Sequence, residues 1–278
     1  SVRYIVAFLG DDGAEMQRQL AQTKGEPGAE DMLLSIYSDT HAYAGHLRKA
    51  REFSRQAAEA AKGNEQKEAA AQWLLNAALR EVEVGKPSQA REQVKVALTL
   101  ASSGSLQTLA ALALARSGDT ARAQAMAEEL HREFPKHTTL NGYWLATIRA
   151  AIELNRMHSR KALELLEVAS PYELGVPYPQ AQACGTLYPV YVRGEAYLQA
   201  GQGQEAAAEF QKMFDHRGIV ANFVLGALAH LQFGRAKAMT ADKDAARKAY
   251  QDFFTLWKDA DPDIPILKQA KAEYAKLE

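Results

Sequence analysis

The chain has 278 residues, of which 47% are hydrophobic and 24% are charged, as in ordinary globular proteins. Its 33 basic and 34 acidic side chains leave a net charge of −1, which argues against a surface that binds nucleic-acid phosphates. The single cysteine, Cys184, excludes an intrachain disulfide, and the longest apolar run, Leu109 to Ala115, is far shorter than the roughly 18 residues of a membrane span.

The first residues already follow a helical pattern. Residues 4–9 are typical of the end of a helix, Gly10-Asp11 of a turn, and Met16 and Leu20 of the apolar face of a second helix. Alanine and other helix formers dominate the rest, and no segment alternates apolar and polar residues as strands do. We expect an all-α protein, and we expect this chain to be a fragment of a longer one.

A short pattern then recurs along the chain. In each copy a small residue is followed by further residues, mostly apolar, at the fourth and seventh positions, which places three side chains on one helix face. The copies are Ala90/Val94/Ala97, Ala123/Ala127/Leu130, Ala162/Leu166/Ala169, Ala206/Phe210/Met213 and Ala246/Tyr250/Phe253, with a weaker one at Ala50/Ser54/Ala57. Regular recurrence predicts an array of repeated helix hairpins.

Two repeat families fit this recurrence. The copies lie 33 to 44 residues apart, whereas a tetratricopeptide (TPR) repeat has about 34 residues and a HEAT or armadillo repeat about 40–47. Length alone favours the second family, but the small-to-large spacing within each copy is typical of the second helix of a TPR. Glycines precede several of these helices, at Gly45, Gly85, Gly118 and Gly201.

We therefore predict one domain over residues 1–278, a right-handed superhelical solenoid of antiparallel, TPR-like helix hairpins. Small residues let the two helices of a hairpin approach closely, and stacked hairpins share one continuous core. The predicted hairpins are 1–28, 29–63, 64–103, 104–136, 137–170, 187–217 and 222–258, followed by a capping helix over 264–278.

Residues 170–186 are predicted to form an insert loop between two hairpins. The loop contains Pro171, Pro177 and Pro179, with Tyr172 and Tyr178. Loops of this length in a compact fold are often functional, and the alternative is a loop that packs over the edge of a repeat.

Motifs for cofactor or metal binding are absent or incomplete. The glycines of residues 201–206 match a dinucleotide fingerprint, but a helix precedes them where the fingerprint requires a strand. Asp259, Asp261 and Asp263 have calcium-loop spacing, but Ile264 replaces the required glycine and Ala270 the required glutamate. We predict no catalytic residue, no cofactor and no metal, and we interpret the three aspartates as an acidic connector.

The first helices of a TPR array line a concave groove, where exposed aromatic and charged side chains can hold a peptide. For Tyr188 and Tyr191, packing against the preceding helix is an equal alternative. The residues predicted to face the groove are Trp144, Thr147, Asn155, Tyr188, Tyr191, Glu195, Gln199, Leu228, Leu231 and Arg235.

Three segments carry a family resemblance: Tyr-Pro-Val-Tyr-Val-Arg-Gly-Glu-Ala-Tyr-Leu at 188–198, Ala-Ala-Glu-Phe-Gln-Lys with Asp-His-Arg-Gly between 207 and 218, and residues 250–267. They resemble the C-terminal TPR region of bacterial, acidobacterial-type serine/threonine protein kinases. In that family a kinase domain and commonly a membrane span precede the repeats. No kinase motif occurs in this chain, so the resemblance implies no catalytic residue here.

The leading hypothesis for function is a protein-interaction or sensor module that binds a protein, a peptide or another part of its own parent, without contacting nucleic acid or a membrane. Similar arrays follow DNA-binding domains in bacterial transcriptional regulators, which is one alternative. A structural scaffold that forms homo-oligomers is another. An enzymatic role ranks last, because no constellation of acid, base or metal ligand is present.

Overall fold

The computed structural model describes residues 2–175 and 187–277. Every regular element in these two ranges is helical, which confirms the predicted all-α class. The helices are α1 (Val2–Leu9), α2 (Gly13–Thr23), α3 (Glu30–Tyr43), α4 (Leu47–Gly63), α5 (Lys67–Glu83), α6 (Pro87–Leu100), α7 (Gly104–Arg116), α8 (Thr120–Glu133), α9 (Ala146–Asn155), α10 (Ser159–Leu166), α11 (Tyr188–Gln199), α12 (Gly203–Asp215), α13 (Arg217–Val220), α14 (Val224–Met239), α15 (Lys243–Leu256) and α16 (Pro265–Tyr274).

The helices pair along the chain as an α-solenoid. α1 packs on α2, α3 on α4, α5 on α6, α7 on α8, α9 on α10, α11 on α12 and α14 on α15. The second helix of most hairpins also contacts the first helix of the next, so one core runs through the array. A π-helical turn (Leu140–Leu145) leads into α9, and a 3₁₀ segment (Glu167–Tyr172) follows α10. None of the helices in the described ranges is long and apolar enough to cross a membrane.

Close packing within a hairpin explains the small-to-large pattern. Gly194 of α11 lies directly against Phe210 of α12, and a Cβ at Gly194 would stand 2.5 Å from the Phe210 ring. In the last hairpin a Cβ at Gly234 would stand 2.9 Å from the Tyr250 ring. Because no side chain occupies these positions, the aromatic residue of the second helix fills the space between the two helices.

The turns inside the hairpins repeat one backbone conformation. Gly45, Gly85, Gly118 and Gly201 all have positive φ, between 77° and 88°. Three other hairpins place non-glycine residues with positive φ at their turns, Asp11 (55°), Met157 (63°) and Ala241 (59°). Asp12, Asp119 and Asp242 then cap the second helices by accepting hydrogen bonds from backbone N–H groups three residues ahead.

The array closes on itself within the described residues, which the sequence did not predict. α14 packs against α3, five hairpins earlier in the chain. The Nδ2 of Asn222, just before α14, donates to the backbone oxygen of Ile36 (2.7 Å) and to the Oγ1 of Thr40 (2.9 Å). The late hairpins therefore lie against the second hairpin.

A closing segment, residues 257–265, completes this contact. The Nε1 of Trp257 donates to the backbone oxygen of Tyr43 (2.9 Å), and the backbone N–H of Asp261 donates to the oxygen of Gly45 (3.0 Å). The backbone N–H of Arg48 donates to Asp261 Oδ2 (2.8 Å), and the Arg48 guanidinium lies 3.2 Å from Asp263. Two aspartates of the predicted acidic connector thus hold the C-terminal region to the second hairpin.

We call α3, α5, α7, α9, α11 and α14 the inner helices, because they contact one another around the axis of the array. Some of their side chains also meet across that axis. The Tyr188 hydroxyl of α11 lies 3.4 Å from Glu83 of α5, and Arg116 of α7 pairs with Glu195 of α11. The concave face is therefore largely filled with side chains.

Asp39 of α3 is a buried carboxylate near the start of the array. It accepts hydrogen bonds from the Arg80 guanidinium and from Asn76 Nδ2 (3.0 Å), and a second Arg80 nitrogen reaches Ser54 Oγ. Burial raises the pKa of Asp39 from 3.8 to about 6, although Arg80 and Asn76 oppose the shift.

The raised pKa predicts a specific dependence of stability on pH. Between about pH 4 and pH 6 the folded chain holds this proton more tightly than the unfolded chain, so Asp39 lowers the free energy of unfolding as the pH rises. Relative to Asp39→Asn, the wild type should lose on the order of 3 kcal/mol between pH 4 and pH 7 in urea unfolding. Asp244→Asn, with a side chain 98% exposed, serves as the control. An equal difference between wild type and Asp39→Asn at both pH values would contradict the assignment.

Candidate partner-binding cavity

A solvent-open cavity of about 680 Å³ lies where the carboxyl-terminal ends of three inner helices meet. Arg116, Asn155 and Gln199 are the last residues of α7, α9 and α11, so they occupy equivalent positions in successive hairpins. The lining residues are Arg116, Ala151, Leu154, Asn155, Glu195, Leu198, Gln199, Gln232, Arg235, Gln269 and Glu273. The stacking of equivalent helix ends builds the cavity.

Two amides tie neighbouring helix ends together. Asn155 Nδ2 donates to the backbone oxygen of Ala115 in α7 (2.8 Å), and Gln199 Nε2 donates to the oxygen of Leu154 in α9 (3.0 Å). Carbonyl groups in the last turn of a helix have no partner within the helix. Each of these carbonyls also accepts a backbone N–H of the following turn, from Gly118 (3.2 Å) or Met157 (3.0 Å), so the amide is a second donor that joins one inner helix to the next.

Arg116 lies between two carboxylates on one side of the cavity. Its Nε and NH2 donate to Glu83 (2.8 and 2.6 Å), and its NH1 and NH2 donate to Glu195 (2.5 and 3.0 Å). Burial would lower the pKa of Arg116, but the carboxylates of Glu195 and Glu83 raise it well above its ordinary value. Arg116 is thus a permanent cation that joins α5, α7 and α11.

A second arginine–glutamate pair also lines the cavity. The Nε and NH2 of Arg235 donate to the two oxygens of Glu273 in α16, at 2.9 and 3.0 Å. The NH1 of Arg235 donates to Gln232 Oε1 (3.1 Å), and the Tyr250 hydroxyl donates to Glu273 (2.9 Å). The helix predicted to cap the array therefore also supplies part of the cavity.

Burial also shifts the pKa values of acidic groups in this region. It raises the pKa of Glu195, where Arg116 acts in the opposite direction and Glu83 adds to the rise. It raises the pKa of the Tyr191 hydroxyl well above its usual value. Tyr191 instead accepts a hydrogen bond from Gln232 Nε2 (3.1 Å), so it acts as a structural link between α11 and α14.

The structure separates the predicted groove residues into two sets. Six of them are at most 1% exposed. The expectation that they face solvent is wrong for Trp144, Thr147, Leu228 and Leu231, and the burial of Tyr188 and Tyr191 agrees with the alternative that they pack in the core. The array closes, and the inner helices cover these side chains. The other four, Asn155, Glu195, Gln199 and Arg235, lie together in the lining of the cavity.

Sequence reasoning missed several lining residues, among them Arg116, Gln232 and Glu273. Arg116 is predictable in principle, because it occupies the same hairpin position as Asn155 and Gln199, which are both predicted to face the groove. Glu273 gave no such signal, because its place opposite Arg235 depends on how α16 folds back on the array.

The remaining sequence features are the predicted insert loop and the possible metal ligands. Residues 176–186 of the predicted insert loop, with Pro177, Tyr178, Pro179 and Cys184, lie outside the described residues. Tyr172 precedes them and packs against Gly142, where a Cβ would stand 2.9 Å from its ring. In the described part of the chain, no three histidine, cysteine or acidic side chains are grouped as metal ligands.

No protein-family profile matches the chain, and no curated protein matches it. Among solved structures, the chain is similar to the crystal structure of the P58(IPK) TPR domain. The sequences are 12% identical, the TM-score is 0.30, and the alignment covers 98% of this chain and 86% of that one. The description of the fold therefore rests on the helix pairing in this chain.

Proposed function

We propose that the chain is a protein-interaction module and that a peptide segment of its partner enters the cavity at the ends of α7, α9 and α11. One observation supports the proposal: three inner helices contribute side chains to one solvent-open polar cavity. These side chains are Asn155, Glu195, Gln199 and Arg235. A site of this kind offers hydrogen bonds and charges to a peptide. Three hairpins contribute residues at equivalent positions, and two of these residues, Asn155 and Gln199, can be changed without breaking the ion cluster of Arg116.

The first test is peptide selection with the full chain. Peptides from a random display library are selected on the protein, and their affinities are measured by fluorescence anisotropy. We expect Gln199→Ala to weaken a selected peptide by tenfold or more, because it removes the amide that joins the ends of α9 and α11 in the cavity wall. Gln22→Ala, at an exposed position in the last turn of α2, is the matched control and should leave the affinity unchanged.

Circular dichroism of each variant must give the helicity of the wild type. Tyr191→Ala is unsuitable as a probe, because this side chain is 1% exposed and its loss would disturb the core. If selected peptides bind equally well to Gln199→Ala and to the wild type, the cavity is not the binding site. If no peptide is selected, the proposal of peptide binding fails.

We also propose that the chain belongs to a serine/threonine protein kinase as its non-catalytic C-terminal region. The proposal rests only on the resemblance over residues 188–267. It is tested by reading the coding sequence upstream of Ser1. A kinase domain there, with its glycine loop, His-Arg-Asp and Asp-Phe-Gly motifs, would support it, whereas a DNA-binding domain, or only further repeats, would refute it.

A further inference from the structure

The cluster of ion pairs at the cavity has more negative than positive formal charge. Three carboxylates belong to this cluster: Glu195 and Glu273 line the cavity, and Glu83, which is 2% exposed and outside the lining, pairs with Arg116. Only Arg116 and Arg235 oppose them. A ligand that adds one positive charge would balance this group, whereas a ligand carboxylate would increase the imbalance.

The hydrogen-bonding capacity of the cavity also favours a ligand that donates. Arg116 already directs four N–H groups to carboxylate oxygens, of the five that an arginine has. Each Glu195 oxygen accepts one hydrogen bond from Arg116, although a carboxylate oxygen can accept about two. Accepting capacity therefore remains in the cavity after Arg116 has used most of its donors.

One acceptor is both buried and without a partner. The Oε1 of Gln199 makes no hydrogen bond and is shielded from solvent, while its Nε2 is used by Leu154. A buried carbonyl oxygen without a donor costs about 1–3 kcal/mol. This oxygen is therefore an unpaired centre of negative partial charge in a residue that lines the cavity.

The carboxyl-terminal ends of three helices add to the negative electrostatic potential of the cavity. α7, α9 and α11 all direct their carboxyl-terminal ends at the cavity, through Arg116, Asn155 and Gln199. The carboxyl-terminal end of a helix carries about half a negative charge, which favours cations. Helix dipoles, carboxylates and an unpaired amide oxygen therefore favour the same kind of ligand.

We infer that the cavity binds a basic side chain, arginine or lysine, of the partner peptide. The inference rests on the proposed function and specifies the chemistry of the partner. An arginine or lysine side chain carries only donors and a positive charge, as the cavity requires. Its head group would reach Glu195, whose side chain is 21% exposed, through the open side of the cavity.

The first experiment places a charge in the cavity of the full chain. Gln199→Lys brings an ammonium group to the site, Gln199→Glu brings a carboxylate, and Gln199→Leu removes the amide without adding charge. We expect melting temperatures in the order Lys, Leu, Glu, with adjacent variants about 2–4 °C apart at low salt. The difference should shrink at 1 M salt, where charges are screened.

The same three substitutions at Gln22 are the matched controls. Gln22 lies in the last turn of α2, exposed to solvent, so it shares the helix-end effect but not the cavity. We expect a clearly smaller separation there. Equal separations at both positions, or a Gln199→Glu variant more stable than Gln199→Leu, would overturn the inference.

The second experiment measures ligand preference by calorimetry. The probes are acetylated, amidated pentapeptides with two alanines on each side of a central arginine, lysine, alanine or glutamate. We expect the arginine or lysine peptide to bind at least tenfold more tightly than the alanine and glutamate peptides. The preference should disappear in Gln199→Lys, whose ammonium group occupies the cavity.

The outcomes separate the two proposals. Tighter binding of the glutamate peptide, abolished by Gln199→Ala, would overturn the basic-ligand inference and leave the peptide-binding function standing. Equal binding of all four peptides would overturn the inference alone, provided that library peptides still depend on Gln199. If library selection also gives no peptide, both proposals fail.

Discussion

Replacing Arg116 with methionine is expected to lower the free energy of unfolding by about 3–5 kcal/mol. Glu83 and Glu195 would then share a poorly hydrated site without their common cation, and the side chain of Glu83 is only 2% exposed. Breaking a buried pair by removing one partner leaves an uncompensated charge, which costs more than the pair itself contributes. Urea unfolding at pH 7, followed by circular dichroism, measures the loss.

Arg156→Met is the control for this prediction. Arg156 is 42% exposed and pairs with Glu153, which keeps His158 and Lys161 as further partners, so its loss should cost less than about 1 kcal/mol. Combining Arg116→Met with Glu83→Gln and Glu195→Gln should recover much of the stability, because no unpaired carboxylate remains. A loss below 1 kcal/mol in Arg116→Met would show that the two carboxylates do not depend on it.

Trp257→Ala is expected to cost about 3–5 kcal/mol and to loosen the closed array. The indole is 3% exposed and packs against Phe253, with ring centroids 4.7 Å apart, and its Nε1 donates to Tyr43. The indole also packs closely on Gly45, where a Cβ would stand 3.0 Å from its ring. Removing it leaves a hole between the closing segment and the second hairpin. Urea unfolding gives the cost, and hydrogen exchange in α3 should become faster.

Two comparisons make this prediction specific. Trp257→Phe keeps most of the packing and loses the hydrogen bond, so it should cost about 1 kcal/mol beyond the small change in volume. Met239→Ala, at a position 46% exposed in α14, should be close to neutral. If Trp257→Ala costs no more than Met239→Ala and leaves exchange in α3 unchanged, the closing segment does not hold the array shut.

The helical class and the hairpin architecture could be predicted because their causes are local. Gly194 and Phe210 lie 16 residues apart, and the spacing of small and large residues predicts the close approach of their helices. The turn at Gly201 is equally local, since its φ of 77° favours glycine. Met157 and Ala241 adopt similar turns without glycine, so only the repeat spacing indicates them.

Closure of the array could not be predicted from the pattern. It depends on pairs such as Asn222 with Ile36 and Arg48 with Asp261, which are 186 and 213 residues apart. The curvature of a solenoid accumulates from small rotations between neighbouring repeats, and these rotations have no short sequence signature. For the same reason, the groove prediction found four residues of the cavity and misplaced six others in solvent.

The contact between α14 and α3 has a consequence for how the chain folds. In an open solenoid each repeat touches only its neighbours, so folding can begin anywhere and terminal repeats can fray independently. Here Asn222, Trp257 and Asp261 join hairpins that are far apart in sequence, so the second and the last hairpins cannot separate without breaking a shared interface. We expect this part of the chain to unfold in a single cooperative step and, because its decisive contacts are so distant in sequence, to fold slowly for an all-helical protein.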